Sequence, residues 1–343
     1  MAKHSLQSTV PIDQPAPLTF HERKPVRGSL IWWLRWLGIV AFLIVLWQLP
    51  QSNAMQLAHL DLRWLGVCML LTLSQLLLEA LVWRWLIATQ RIRYPYPKTL
   101  LTYLASQYLG LVTPGHVGEF LAAGYVSLDT GITFGYALSS VVIKKLLAWV
   151  TIMGFGLWSL RLLVEVPLLQ GVKQVALMSV VALTFLSLGI ALWVVSLRHL
   201  AKKWQRLSPW QVDMADFWAG IRSLATPHLI MPLMISAVAF SVLFLQFQTI
   251  LWALGISLPI LLVAKMVALS RILARFVPVS FVGFGSKDAA MIWLLAQQNI
   301  DPAIGFTATV LFLVCSYLVT LLLSGLCWWI KPLVIRRVAP SSS

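Results

Sequence analysis

Apolar runs of about 20 residues or more recur along the chain, at about 30–49, 63–88, 136–160, 173–197, 229–254 and 304–330. As an α-helix, such a run covers the ~30 Å hydrocarbon core of a bilayer. Within hydrocarbon only helices and closed barrels satisfy their own backbone. No stretch between the runs is long enough for a soluble core of ~50 residues. The sequence therefore predicts an all-α, polytopic integral membrane bundle with about six full spans. It forms one domain over residues 30–331, between polar tails at 1–29 and 332–343. The first tail carries prolines at 11, 15, 17 and 25 and reads as disordered. The run at 30–49 is long for a signal-peptide core and lacks a small-residue cleavage site, so it reads as an uncleaved span.

Two further apolar regions, 99–126 and 258–297, are each interrupted near the middle by proline and glycine. Their halves are too short to cross comfortably, and each reads as a re-entrant helical hairpin. If both hairpins return to the side they entered from, most cations gather on one face: the N-terminal tail, the 89–98 and 198–228 loops, and the C-terminus. That bias predicts a cell (inner) membrane protein with both termini cytoplasmic. The formal charge of +15 is then a topology signal and a contact for anionic lipid, not a nucleic-acid surface. Ser208 and Pro209 start an amphipathic helix over about 208–224 lying on the cytoplasmic surface. Its Asp213 and Asp216 fall on the polar face, so they read as solvated and not as metal ligands. Cys68, Cys315 and Cys327 sit in apolar runs without metal or redox spacing.

The two interruptions resemble each other. "VTPGHVGEFLAAGYVSLDTGITFGYA" and "FVPVSFVGFGSKDAAMIWLLAQQNIDPAIGFTA" each run from proline through glycines to an acid, a short helix, a Gly-Ile or Asn-Ile turn and a full span. Three crossings separate them, so the second copy is upside down. The pattern predicts an inverted repeat, the architecture of alternating-access transporters.

Breaking a helix at Pro114 and Gly115 leaves backbone groups that hydrocarbon cannot satisfy, so the break must face protein or water. The helix that follows directs its N-terminal amides into that space, where they suit phosphate or carboxylate. His116 stands at this terminus and Glu119 in its first turn. The second break supplies Pro278, Gly283 and Gly285, then Lys287 and Asp288. Arg271 and Arg275 share a face of the preceding helix, with Lys265 earlier. Lys144 and Lys145 lie about two turns into the next span after the first break, and Glu79 shares a face with Gln75. Ionisable groups at this depth face a cavity or a partner. The candidate lipid- or anion-binding set is His116, Glu119, Lys144, Arg271, Arg275, Lys287 and Asp288. Pro114, Gly115, Gly118, Pro278, Gly283 and Gly285 shape the breaks. Glu79, Glu119 and Asp288 are the acids for pairing or for carrying a coupling proton. The alternative is internal pairing of those acids with Lys144, Arg271 and Arg275.

"TPGHVGE" (113–119), followed by "VPVSFVGFGSKDAA" (277–290) on this hydropathy frame, resembles the transmembrane region of lysylphosphatidylglycerol synthases. That flippase-like domain is shared by many stand-alone membrane proteins. The resemblance spans about residues 30–330 and implies handling or translocation of anionic lipids, with two re-entrant hairpins around a central cavity. His116 stands where similar members commonly carry Arg or Lys. No counterpart of the soluble aminoacyl-transfer domain is read, so no enzyme activity, cofactor or metal is expected. The expected partners are anionic membrane lipids, a lipid-modifying enzyme and a second copy of the chain. Two alternatives stand beside a lipid translocase: an accessory subunit of a lipid-linked glycosyltransferase, and an ion-coupled transporter of a small anion.

Overall fold

The structure is a computed structural model that describes residues 20–22, 60–112, 114–164, 208–276, 280–281, 284–331 and 336–337. The expected spans at 30–49 and 173–197 lie outside the described residues. Strand β1 (Phe20–Glu22) pairs antiparallel with β4 (Arg336–Arg337), so part of the stretch read as a disordered tail lies beside the C-terminal segment.

Among the described residues four long apolar helical stretches qualify as membrane spans: Leu62–Thr89, Phe134–Ser159, Pro227–Ala253 and Pro302–Ile330. Helix α1 is Leu62–Thr89, started by Asp61, whose carboxylate accepts the Arg63 N–H at 3.0 Å. Then come α2 (Tyr96–Val112), a 3₁₀ segment (Pro114–Leu121) and α3 (Ala122–Thr130). Helix α4 is Phe134–Val164, and α5 is the expected amphipathic helix, Ser208–Leu224. Helix α6 (Ile230–Ala253) leads to α7 (Ile260–Phe276), a ladder of β2 (Ser280–Phe281) with β3 (Phe284–Gly285), and α8 (Ser286–Ala296). The last span is α9 (Pro302–Leu313), a π turn (Val314–Leu318) and α10 (Val319–Ile330). Leucines 62, 70, 77, 81, 322 and 326 and Trp329 are exposed on these spans. Apolar surface on that scale needs lipid against it.

Span, broken hairpin, span is thus the order in both halves. The corresponding first spans run antiparallel: the Asp61 N–H donates to the Ala253 carbonyl at 3.2 Å, and the Trp64 and Trp252 rings lie 4.7 Å apart. Farther along the same seam Gln246 Nε2 donates to Gln75 Oε1 at 3.0 Å. Each hairpin packs on the closing span of the other half. Tyr108 of α2 stacks on Trp328 of α10 at 5.2 Å, and Gly156 of α4 abuts Ile272 of α7.

The turns repeat as well. Among the described residues the left-handed backbone positions are Arg91, Gly131, Gly255 and Asn299. Arg91 and Gly255 end the first span of each half, and both turns close with a backbone hydrogen bond: Ile92 N–H to Ile87 O at 3.2 Å, and Ile256 N–H to Leu251 O at 2.9 Å. Pro95 and Pro259 follow at the same offset. Gly131 and Asn299 end the two hairpins. The antiparallel seam, the exchanged packing and the matched turns together show two copies in opposite orientation.

Helix α5 packs on the start of α4. Gly220 leaves room only for the Ser139 hydroxyl, Tyr136 Oη donates to Ser223 Oγ at 3.3 Å, and Leu224 is fully buried.

Candidate functional site

The two ends of the first hairpin meet. Tyr94, just before α2, donates its hydroxyl to Asp129, near the end of α3, at 2.6 Å. Asp129 also pairs with Lys331 and lies 3.8 Å from Lys98, while Tyr125 Oη donates to the Lys331 carbonyl at 2.9 Å. Burial pushes the Asp129 carboxyl up, but the Lys331 and Tyr94 hydrogen bonds and the Lys331 and Lys98 charges outweigh it and hold the group below its ordinary value.

Inside the hairpin two glycines set the spacing. A Cβ on Gly118 would fall 2.2 Å from the Leu109 carbonyl oxygen, so the 3₁₀ segment lies directly against the backbone of α2's last turn. A Cβ on Gly110 would meet Glu119 Cγ at 2.4 Å. The Glu119 side chain therefore runs across the bare backbone at Gly110 and reaches Lys145, Nζ to Oε2, at 2.6 Å. Lys145 also sits 5.1 Å from the centre of the Phe120 ring.

A second acid–base pair lies beside it. Lys144 Nζ is 3.3 Å from Glu79 Oε2 and 3.9 Å from the Tyr103 ring centre. Glu79 also accepts from the Tyr103 hydroxyl and, at 3.2 Å, from Gln75 Nε2. Glu79 precedes the end of α1, and Lys144 follows the start of α4, by about ten residues, or ~15 Å of helix. Both helix ends lie on the face of the 90–95 loop and the α3–α4 turn, so the cluster sits near half the depth of a ~30 Å core. The polar track continues through Gln75 to Gln246, which is fully buried. The side chains of Glu79 and Lys145 are each 34% exposed.

The second hairpin has a different charge balance. Asp288 is 4% exposed and accepts the Gly285 N–H at 2.8 Å, capping α8. Lys287 and Arg271 lie close enough that their charges act on each other and on Asp288. Among the described side chains this makes two cations against one carboxylate, whereas the first cluster has two of each. The β2–β3 ladder pairs backbone groups that the break would otherwise leave exposed.

The structure thus splits the sequence-derived set. Glu119 and Lys144 lie in the first cluster with Glu79, and Arg271, Lys287 and Asp288 in the second. Arg275 is on α7, and Pro114, Gly115 and His116 are in the 3₁₀ segment, but their side chains lie outside the described residues, as do Pro278 and Gly283 altogether. Glu79 pairs with Lys144, while Glu119 takes Lys145, a residue noticed in sequence but left out of the candidate set. Sequence reasoning also missed Gly110, Tyr103 and Asp129. Gly110 had a signal, since it lies one helical turn before the break, but a glycine in an apolar helix does not show what crosses it.

Among the described residues no three His, Cys, Asp or Glu side chains converge as metal ligands. A shallow pocket of about 350 Å³, lined by Trp64, Trp252, Gly255, Ile256 and Ser257, lies at the α6–α7 turn, away from both clusters.

No curated protein and no solved structure shows significant similarity to the chain. The family profile described as the lysylphosphatidylglycerol synthase TM region matches residues 35–324. With four apolar spans among its described residues and that match over most of its length, the chain belongs to the lysylphosphatidylglycerol synthase transmembrane-region family of multi-pass membrane proteins associated with lipid handling.

Proposed function

We propose that the protein binds the anionic headgroup of a membrane lipid at the paired helix breaks and moves it between leaflets. The observation that carries this reading is the inverted pair of charged breaks, with a surplus of cations at the second. The two hairpins then re-enter the bilayer from opposite faces, the first from the cytoplasmic side where the basic loops and both termini lie. Arg271 of α7 and Lys287 at the head of α8 form the phosphate-binding end. The partial exposure of Glu79 and Lys145 at mid-depth opens onto a polar crevice, because charge facing hydrocarbon is costly. The acyl chains stay in lipid while the headgroup passes between the clusters. No chemical step on the lipid is required of these residues.

The test is transbilayer movement of labelled phosphatidylglycerol and phosphatidylcholine in proteoliposomes. Native protein moves phosphatidylglycerol faster than phosphatidylcholine, and Arg271→Ala with Lys287→Ala abolishes the difference. Equal movement of both lipids, or none above empty liposomes, defeats the proposal. Family membership also links the chain to lipid-modifying enzymes. An accessory role beside such an enzyme is the reading the second result would favour.

A further inference from the structure

We infer that Arg84 and Arg91 hold the phosphate of an anionic lipid on the outside of the fold, at the corner where α1 ends and the first hairpin begins. This lipid is resident, its site is separate from the headgroup site at the breaks, and it does not depend on transport.

On α1, Leu77, Leu81, Arg84 and Ala88 recur at intervals of three and four residues and share one face. Leu77, Leu81 and the adjacent Trp85 are exposed, so this face meets lipid. Arg84 is half-buried there, and its Nη1 is enclosed by protein without a hydrogen bond. Among the described residues no carboxylate pairs with it, whereas the mid-depth charges of the same half are paired, Glu79 with Lys144 and Glu119 with Lys145. A cation left unpaired at the edge of hydrocarbon is costly unless something outside the fold serves it.

Depth decides what that is. The 28 residues of α1 make ~42 Å of helix, ~12 Å more than the ~30 Å core, so a centred helix overhangs by ~6 Å at each end. Arg84 lies five residues before Thr89, or ~7.5 Å, which puts its backbone at the core boundary. The guanidinium lies against the protein, where Nη1 gains nothing, and its flexible stem lets the fork swing to the level of the lipid phosphates. Trp85 and Tyr96 suit that same interface. The Tyr96 hydroxyl donates to the Leu77 carbonyl at 3.0 Å and ties the start of α2 to the face that carries Arg84.

Arg91 is the next step on this face, three residues beyond Ala88 in the turn that ends α1. It is exposed, as is Arg93. Lys98, at the head of α2, has Asp129 at 3.8 Å, but Asp129 is already bonded to Tyr94 and Lys331. Residues 84–98 thus carry four cations and no acid. A guanidinium offers a phosphate two parallel donors, and Arg84 from below and Arg91 from above clamp it from both sides. The cationic surplus selects a headgroup without an ammonium of its own. The acyl chains then lie along Leu77 and Leu81.

The test is native mass spectrometry of the full chain, purified in mild detergent, stripped of lipid and given equal amounts of phosphatidylglycerol and phosphatidylcholine. Native protein retains one phosphatidylglycerol. Arg84→Gln binds it about tenfold more weakly or worse, and Arg91→Asn, which tolerates the left-handed turn, also weakens it. Thermal unfolding controls for folding: without lipid both variants melt with the native protein, and phosphatidylglycerol raises the native Tm more than theirs. Arg271→Ala with Lys287→Ala keeps the retained lipid, which separates this site from the breaks. Undiminished retention by Arg84→Gln overturns the inference, as does equal retention of phosphatidylcholine. So does loss of the lipid from the Arg271 and Lys287 variant alone. Competition by soluble glycerophosphoglycerol as strong as by the lipid overturns it too, because Arg84 would then serve free phosphate esters.

Discussion

Replacing Gly118 with alanine tests the hairpin where it is tightest. The added Cβ would sit 2.2 Å from the Leu109 oxygen, 2.3 Å from the Leu109 carbonyl carbon and 2.7 Å from the Gly110 nitrogen. All three are backbone atoms, so no side chain can rotate away. Ordinary contact begins at 3.4 Å, so the 3₁₀ segment and α2 must part by about 1.2 Å. Overpacking of this kind costs ~1–3 kcal/mol, and a backbone wall places it at the upper end. The intrinsic preference for alanine over glycine in a helix returns up to ~1 kcal/mol. The net is a loss of about 2 kcal/mol, or roughly 3 °C in Tm for a domain of this size. Gly66 and Gly154 are the controls, since a Cβ at either meets nothing within 4 Å. Their alanine variants should match or slightly exceed native stability. The assay is thermal unfolding in detergent followed by tryptophan fluorescence. A Gly118→Ala protein melting no lower than Gly154→Ala would refute the reasoning.

Three other outcomes are expected. Lys144→Met takes the ammonium from Glu79, which keeps its Tyr103 and Gln75 donors, and costs ~1–3 kcal/mol, while Lys144→Met with Glu79→Gln recovers most of it, as a double-mutant cycle in thermal unfolding will read. Asp129→Asn costs ~1–3 kcal/mol at neutral pH. Because the folded-state pKa of Asp129 is depressed, its contribution is complete above the unfolded value near ~4 and disappears as pH falls through the lower folded value; the native–variant gap in Tm should close only in that acid range. Cysteines placed at Arg93 and Ser257, exposed residues of the two matched turns, should be labelled by an impermeant maleimide from opposite faces of intact vesicles; labelling from one face would contradict the inverted arrangement.

The four described spans were legible because a run of apolar residues in hydrocarbon has few options beyond a helix. Helix α5 was legible from Ser208, Pro209 and its one-sided apolar pattern. The repeat was legible only in part. "TGI" and "QNI" gave away Gly131 and Asn299, but Arg91 does not look like Gly255, and the shared left-handed backbone that equates them is visible only in space. The site was read as one net-positive group because sequence records which charges are present and not which meet. Lys144 and Lys145 are adjacent, yet successive helical residues point about 100° apart, so one serves α1 and the other the hairpin. Tyr103 was indistinguishable from any buried aromatic until its hydroxyl was seen on Glu79. The β2–β3 ladder also had no sequence signal, since two-residue strands are set by their partners and not by any pattern.

The exchanged packing has a mechanical corollary. Each hairpin grips the closing span of the opposite half, α2 on α10 and α7 on α4. The rigid units of a rocking motion would therefore be chimeras of the two repeats and not the repeats themselves. The antiparallel α1–α6 seam lies between equivalent elements, and in the proposed transport cycle it would take part equally in both half-cycles and act as the fulcrum. A fulcrum tolerates little play, and this one is pinned at one end by the Asp61–Ala253 hydrogen bond and farther in by the Gln75–Gln246 amide contact.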